Sequence, residues 1–226
     1  MVWRTHVGPH RTTFERSCAE LIKEAHLDYA DWKLVRALGA TSKSAGRRRW
    51  PIGPDDFDAL VKTKTFTNGS DKDAVSKLYR KLATNLLGGA VALDYEGIAP
   101  PTVHDGGRLG RCLNLAEHVV SLDLQSVRMS NSAAVALFNA LSEGALPALT
   151  SLYLQDNFID DEGMHAIVAA FERGAMRALR AHEVRLSVSE PSDFVESGYN
   201  VLTCGLNLSA NPGNAGILNS VFHTTQ

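Results

Sequence analysis

The segment LTSLYLQDNFIDDEG, residues 149–163, decides the fold. Leu152 and Leu154 alternate with Ser151, Tyr153 and Gln155, the period of two expected of a short strand with one buried face. Asp160 and Asp161 then suit the start of a helix. Met164, Ile167, Val168 and Phe171 follow at i, i+3, i+4 and i+7, a helical stripe. Gly174 stands where a left-handed cap would end that helix.

Working outward, the pattern recurs 30 residues upstream. Leu122 falls on Leu152, Val119 on Leu149, Leu124 on Leu154 and Gln125 on Gln155. Met129 meets Ile159, Leu137 meets Ile167, Leu141 meets Phe171, and Gly144-Ala145 meets Gly174-Ala175. Ser130-Asn131-Ser132 takes the capping place of Asp160-Asp161. At an offset of 29, Leu93-Asp94-Tyr95-Glu96-Gly97-Ile98 matches Leu122 to Val127, with Leu109, Cys112 and Leu113 lining its helix. Downstream, Glu183-Val184-Arg185-Leu186-Ser187-Val188 alternates as a strand, and Gly205-Leu206-Asn207-Leu208-Ser209 forms a last one. About five strand units are therefore expected between 91 and 226. One strand, turn and helix of this size cannot bury its own apolar faces, so successive units must stack.

LTSLYLQDNFIDDEG at 149–163 and GLNLSANPGNAG at 205–216 resemble leucine-rich repeats of the ribonuclease-inhibitor-like subclass. The resemblance covers about 91–216 and is most specific at 149–175. It implies an α/β fold: a short solenoid with parallel strands on a concave face, helices outside, and an α-helical N-terminal cap. Asn157 and Asn211 match the family's structural asparagine, whose buried amide caps backbone groups in the turn after each strand. Asn suits that place because it both donates and accepts. Val127 occupies the position in the preceding unit, and the strand near 184 has no clear asparagine.

Residues 1–90 read as the helical cap. Thr12-Thr13-Phe14-Glu15 offers a capping box, with Phe14, Cys18, Leu21, Ile22 and Ala25 on one helical face. A second helix is expected from about Asp31 to Leu38, and TSKSAGRRRWPIGP at 41–54 is a basic loop. A short helix near Asp55–Lys62 follows, then a longer one opened by Ser70-Asp71 with the stripe Val75, Leu78, Tyr79, Leu82 and Leu86. FTNGSDKDAVSKLYRKLATNLLGGAVALDYEGI, residues 66–98, is similar to helical lead-ins before such repeats in proteins of unicellular eukaryotes.

Composition separates the two regions. The net charge of −2 sums a basic 1–90, with 16 Lys+Arg against 10 Asp+Glu, and an acidic 91–226, with 7 against 15. Leucine is abundant at 27 of 226 residues, as stacked repeats require. Three scattered cysteines, Cys18, Cys112 and Cys204, provide no disulfide framework and read as reduced thiols. No apolar run approaches the ~18 residues that span a bilayer, and the start lacks a secretory signal. A soluble, reducing intracellular compartment is expected, the cytoplasm first and an organelle stroma second.

No motif calls for catalysis. The eight histidines include no HExxH and no Cys/His spacing suited to a metal, and no G-x-S-x-G elbow occurs. Asp160-Asp161-Glu162 complements a helix dipole. Gly106-Gly107-Arg108-Leu109-Gly110-Arg111 reads as a turn linking two repeats. Neither metal nor cofactor is expected. Arg47, Arg48, Arg49 and Trp50 form a basic contact that could take a phosphate, with Trp50 as a stacking platform. A solvated loop with a packed Trp50 is the plainer reading.

The remaining candidate is the outward row of the strands: Asp94, Glu96, Ser121, Asp123, Gln125, Ser151, Tyr153, Gln155, Arg185, Ser187, Asn207 and Ser209. Tyr153 is the expected hot spot, an aromatic with a polar tip among small polar neighbours. The expected function is a non-catalytic protein–protein interaction module. A structural accessory or linker subunit of a large assembly is the alternative, suggested by a chain that ends soon after its last strand. RNA or phosphate binding through the basic loop ranks third.

Overall fold

The computed structural model describes residues 9–22, 49–66, 70–96, 98–181 and 205–207. Three helices come first: α1 (Pro9–Ile22), α2 (Pro54–Lys62) and α3 (Ser70–Gly89). Strands and helices then alternate: β1 (Ala92–Asp94), α4 (Val103–Leu113), β2 (Ser121–Asp123), α5 (Asn131–Asn139), β3 (Ser151–Tyr153) and α6 (Asp161–Glu172). A short α7 (Arg177–Ala181) and β4 (Gly205–Asn207) complete the set.

The strands form one parallel sheet in the order β1-β2-β3-β4. Leu93 pairs with Leu122, Leu122 with Leu152 and Leu152 with Leu206, the register that the sequence repeat dictates. Leu93, Leu122 and Leu152 point into the core, each worth about 2 kcal/mol of apolar burial, while their strand neighbours Ser121, Asp123, Ser151 and Tyr153 are half exposed. A one-residue slip would exchange the two faces, which fixes the register. Parallel neighbours need long crossovers, and here each carries a helix. α4 packs on α5 and α5 on α6, so the helices follow the order of their strands. The chain is thus a mixed α/β structure with its helices packed side by side beside a small parallel sheet.

The turns repeat as faithfully as the strands. Left-handed backbone recurs at Ser126 and Asp156, at Gly144 and Gly174, and at Leu146 and Met176, each pair 30 residues apart. Gly174 ends α6 as expected: its N–H reaches the Phe171 carbonyl at 2.9 Å, and the Ala175 N–H reaches that of Ala170 at 3.0 Å. These are the paired hydrogen bonds of a glycine C-cap. Gly144 differs, since α5 stops at Asn139 and the glycine serves the turn beyond.

Asn157 is buried, and its amide stitches two units together. Nδ2 donates to the carbonyls of Leu124 and Leu154, both at 2.9 Å, and Oδ1 accepts the Met129 N–H at 2.8 Å. Val127, at the matching place one unit earlier, is a buried apolar side chain. Asn211 lies outside the described residues.

Several sequence expectations shift. Gly106 to Arg111 is not a turn but the body of α4, which starts one turn earlier on a capping box. There the Thr102 hydroxyl accepts the Asp105 N–H at 3.1 Å, and the Asp105 carboxylate accepts the Thr102 N–H at 3.0 Å. α1 begins at Pro9, so Thr12 and Thr13 lie inside it; proline is pre-set for a first helical turn. On α3, Leu78 is 54% exposed, and the buried line runs through Tyr79, Ala83 and Leu87. The expected helix at 31–38 and strand at 183–188 fall outside the described residues. The free edge of β3, where chain order would place 183–188, is taken by β4.

The N-terminal helices join the same core as the β–α units. Phe57 of α2 stacks on Tyr79 of α3 at 3.8 Å between ring centroids, and Phe14 of α1 meets both edge-on. The Tyr95 hydroxyl just after β1 donates to the Leu21 carbonyl of α1 at 3.1 Å. Arg111 of α4 forks onto Asp56 of α2 at 2.8 and 3.1 Å. The first β–α unit is therefore clamped by the helical region. The change of charge near residue 90 does not mark a break between separate cores.

Candidate functional site

The strand register builds the surface. Asp94 pairs with Asp123, Asp123 with Tyr153 and Tyr153 with Asn207, so these four positions form one row across the sheet. Glu96, Gln125 and Gln155 follow two residues on in their units. Ser121 and Ser151 pair at the start of the strands.

The two aspartates are partly engaged in shaping the backbone. Asp94 Oδ1 accepts the Glu96 N–H at 2.9 Å, and Asp123 Oδ1 accepts the Gln125 N–H at 2.8 Å. Such bonds two residues along are what Asp makes where a chain turns. The next row is linked side chain to side chain. Gln125 Nε2 donates to Glu96 Oε1 at 3.4 Å, and Gln155 Nε2 donates to the Gln125 amide oxygen. Gln155 is only 9% exposed, so it belongs beneath the surface rather than on it as the alternation suggested. Its amide reaches that of Gln125 in the neighbouring unit.

The register also collects charge. Asp94, Glu96 and Asp123 each offer a carboxylate oxygen within 4.8 Å of the others. Sequence reading found these acids one at a time and anticipated no cation site. The grouping was nonetheless implicit in the 29-residue offset, which places unit upon unit.

The basic loop fares differently. Arg49 is exposed, and its backbone N–H is held by the Glu20 carboxylate of α1, which also takes Arg16 Nε at 2.7 Å. Burial raises the Glu20 pKa more than Arg16 and Arg49 lower it. Trp50 is 7% exposed; its indole N–H donates to the Ala99 carbonyl at 2.8 Å, and its ring lies 5.7 Å from that of Tyr95. It is a packing residue and not a platform for a base. Arg47, Arg48, Arg185, Ser187 and Ser209 lie outside the described residues, and Asn207 is described by its backbone pairing alone.

Asp160, considered above as part of an acidic run, caps α6 through the Glu162 N–H at 3.0 Å. Glu162 in turn accepts from Asn131 at 2.9 Å, tying α6 to the start of α5. Among the described residues, no helix is long and apolar enough to cross a membrane. Compared with known proteins, the chain matches no family model and no curated sequence.

Proposed function

We propose that the protein is a non-catalytic protein-interaction module, a short solenoid of ribonuclease-inhibitor-like leucine-rich repeats that binds a protein partner through the sheet face. One observation carries this reading: three successive units hold Asp94, Asp123 and Tyr153 in one register, while the leucines beside them share a core with helix residues Leu109, Leu137 and Ile167. A row of side chains fixed in this way offers a rigid binding face that needs no chemistry. The Asn157 amide, bonded to two successive turns, supports the repeat assignment. Tyr153 supplies an aromatic anchor in the middle of the row.

Photo-crosslinking in native extract tests the reading. A benzoylphenylalanine at Ser121 or Ser151 should capture a defined partner, and the same group at the exposed helix residues His165 or Glu172 should not. Tyr153→Ala and Asp123→Arg should each abolish capture while leaving the circular dichroism spectrum unchanged. Capture from the helix positions alone, or capture indifferent to both substitutions, overturns the proposal.

A further inference from the structure

Two large apolar side chains stand in solvent on different parts of the chain. Leu78 of α3 is 54% exposed, and Phe158, in the turn between β3 and α6, is 60% exposed. A single exposed apolar residue needs no explanation; what sets these two apart is the charge around each. Ala74, Lys77, Leu78 and Lys81 are all exposed and fall at i, i+3, i+4 and i+7, so they share one face of α3. Leu78 therefore sits between two ammonium groups. Arg80 is engaged within the chain, with Asp55 and Asp58 of α2 at 2.7 and 2.6 Å. Asp71 and Asp73 lie in the first turn of α3, where they complement its dipole.

Phe158 has the opposite setting. Asn157 and Ile159 are buried while Asp156, Phe158 and Asp160 are exposed, so the ring emerges between two carboxylates. Glu162, exposed in the first turn of α6, adds a third. Arg128, exposed at the matching place one unit earlier, offsets one of these charges and leaves the patch acidic.

The two patches are complementary, each an apolar side chain flanked by charge, ammonium on one and carboxylate on the other. Both are exposed on the same chain, so neither covers the other within one molecule, and every second copy carries the complement of each. The regional charges run the same way, with 16 Lys+Arg against 10 Asp+Glu in 1–90 and 7 against 15 beyond. We propose that the protein associates head to tail with itself, Phe158 of one copy seated on the Leu78 face of the next. The contact is heterologous, since the two surfaces differ, so it propagates from copy to copy unless the rotation closes a ring. It uses none of the sheet-row residues and does not depend on the interaction reading above.

Sedimentation of the full chain tests this. The average mass should rise with concentration in about 0.01 M salt and fall toward that of one copy in about 1 M, as the screening length drops from about 30 Å to about 3 Å. Lys77→Glu with Lys81→Glu reverses one patch, and Phe158→Lys spoils the other. Each should weaken self-association about ten-fold or more, as like charges brought face to face do. Mixed in equal amounts, the two variants should associate again yet stop at dimers, because each brings only one working patch. Should either lose the native circular dichroism spectrum, Leu78→Ser and Phe158→Ser take their places in the same mixture. A chain that stays monomeric in low salt overturns the proposal, even if a benzoylphenylalanine at Leu78 captures a foreign acidic protein. Self-association that is indifferent to salt, or that survives in the separate variants, overturns it as well. So does a mixture that stays monomeric.

Discussion

Gly110 of α4 lies against Leu137 of α5 so closely that a Cβ at Gly110 would stand 2.4 Å from the Leu137 carbonyl oxygen. One turn earlier, a Cβ at Gly106 would stand 2.3 Å from the Ala133 carbonyl oxygen. The obstacle in both cases is backbone, which cannot step aside as a flexible side chain can. Gly110→Ala should therefore destabilise the fold by about 2–3 kcal/mol, in the range of overpacking substitutions, despite the better helix propensity of alanine. Gly107, whose Cβ would meet nothing nearer than 3.5 Å, should accept alanine with little change or a small gain. Denaturant melts of the two variants make the comparison.

Asn157→Leu removes an amide whose nitrogen donates to the carbonyls of Leu124, Leu154 and Gln155 and whose oxygen accepts the Met129 N–H. The Met129 N–H and the carbonyls of Leu124 and Leu154 would lose a partner in a buried turn. A loss of about 3 kcal/mol or more is expected, since each orphaned group costs about 1–3 kcal/mol. Hydrogen exchange should show the Met129 amide losing protection first.

The described thiols should be sluggish nucleophiles. Burial, aided by Glu15, pushes the Cys18 thiol up to about 11, and burial pushes the fully enclosed Cys112 thiol higher still. Thiolate is the reacting form. Iodoacetamide at pH 8 followed by peptide mapping should label Cys18 slowly and Cys112 only upon unfolding. Rapid labelling of Cys112 in the native protein would contradict its placement in the core.

Glu20 gives stability a defined slope with pH. Its folded pKa lies above the unfolded value because burial outweighs Arg16 and Arg49. The protonated form is favoured in the fold, so its contribution is full below the unfolded pKa and is lost as pH rises through the raised one. Glu20→Gln should flatten the stability profile on the alkaline side of the ordinary carboxylate range. Melting curves of the two proteins from pH 4 to pH 7 would show no divergence if the carboxylate were unperturbed.

The strands and their register were legible because alternation and a fixed offset say the same thing twice. Leu122 over Leu152 in the sequence is Leu122 beside Leu152 in the sheet. The polar residues were harder. Gln155 and Gln125 occupy equivalent places in the sequence, yet Gln155 is buried and Gln125 half exposed. What covers a side chain is set by its neighbours in space. Glycine misled at 106–111, where it marks close helix approach rather than a turn, a distinction that local composition does not contain. Leu78 misled because a hydrophobic residue at helical spacing fits a stripe whether or not anything faces it. The grouping of Asp94 and Glu96 with Asp123 needed two units read together, whereas a packed Trp50 was the plainer reading from the start, with only its Ala99 partner left to the structure.

The row Asp94–Asp123–Tyr153 carries a last implication. Two aspartates and a tyrosine, unlike in charge and size, hold one pairing register, because the leucines behind them do the packing. Shape retention and surface lettering are thus assigned to alternate residues of the same three-residue strands. A chain built this way separates what holds its shape from what it shows to its surroundings, most cleanly at Tyr153, whose neighbours Leu152 and Leu154 are buried.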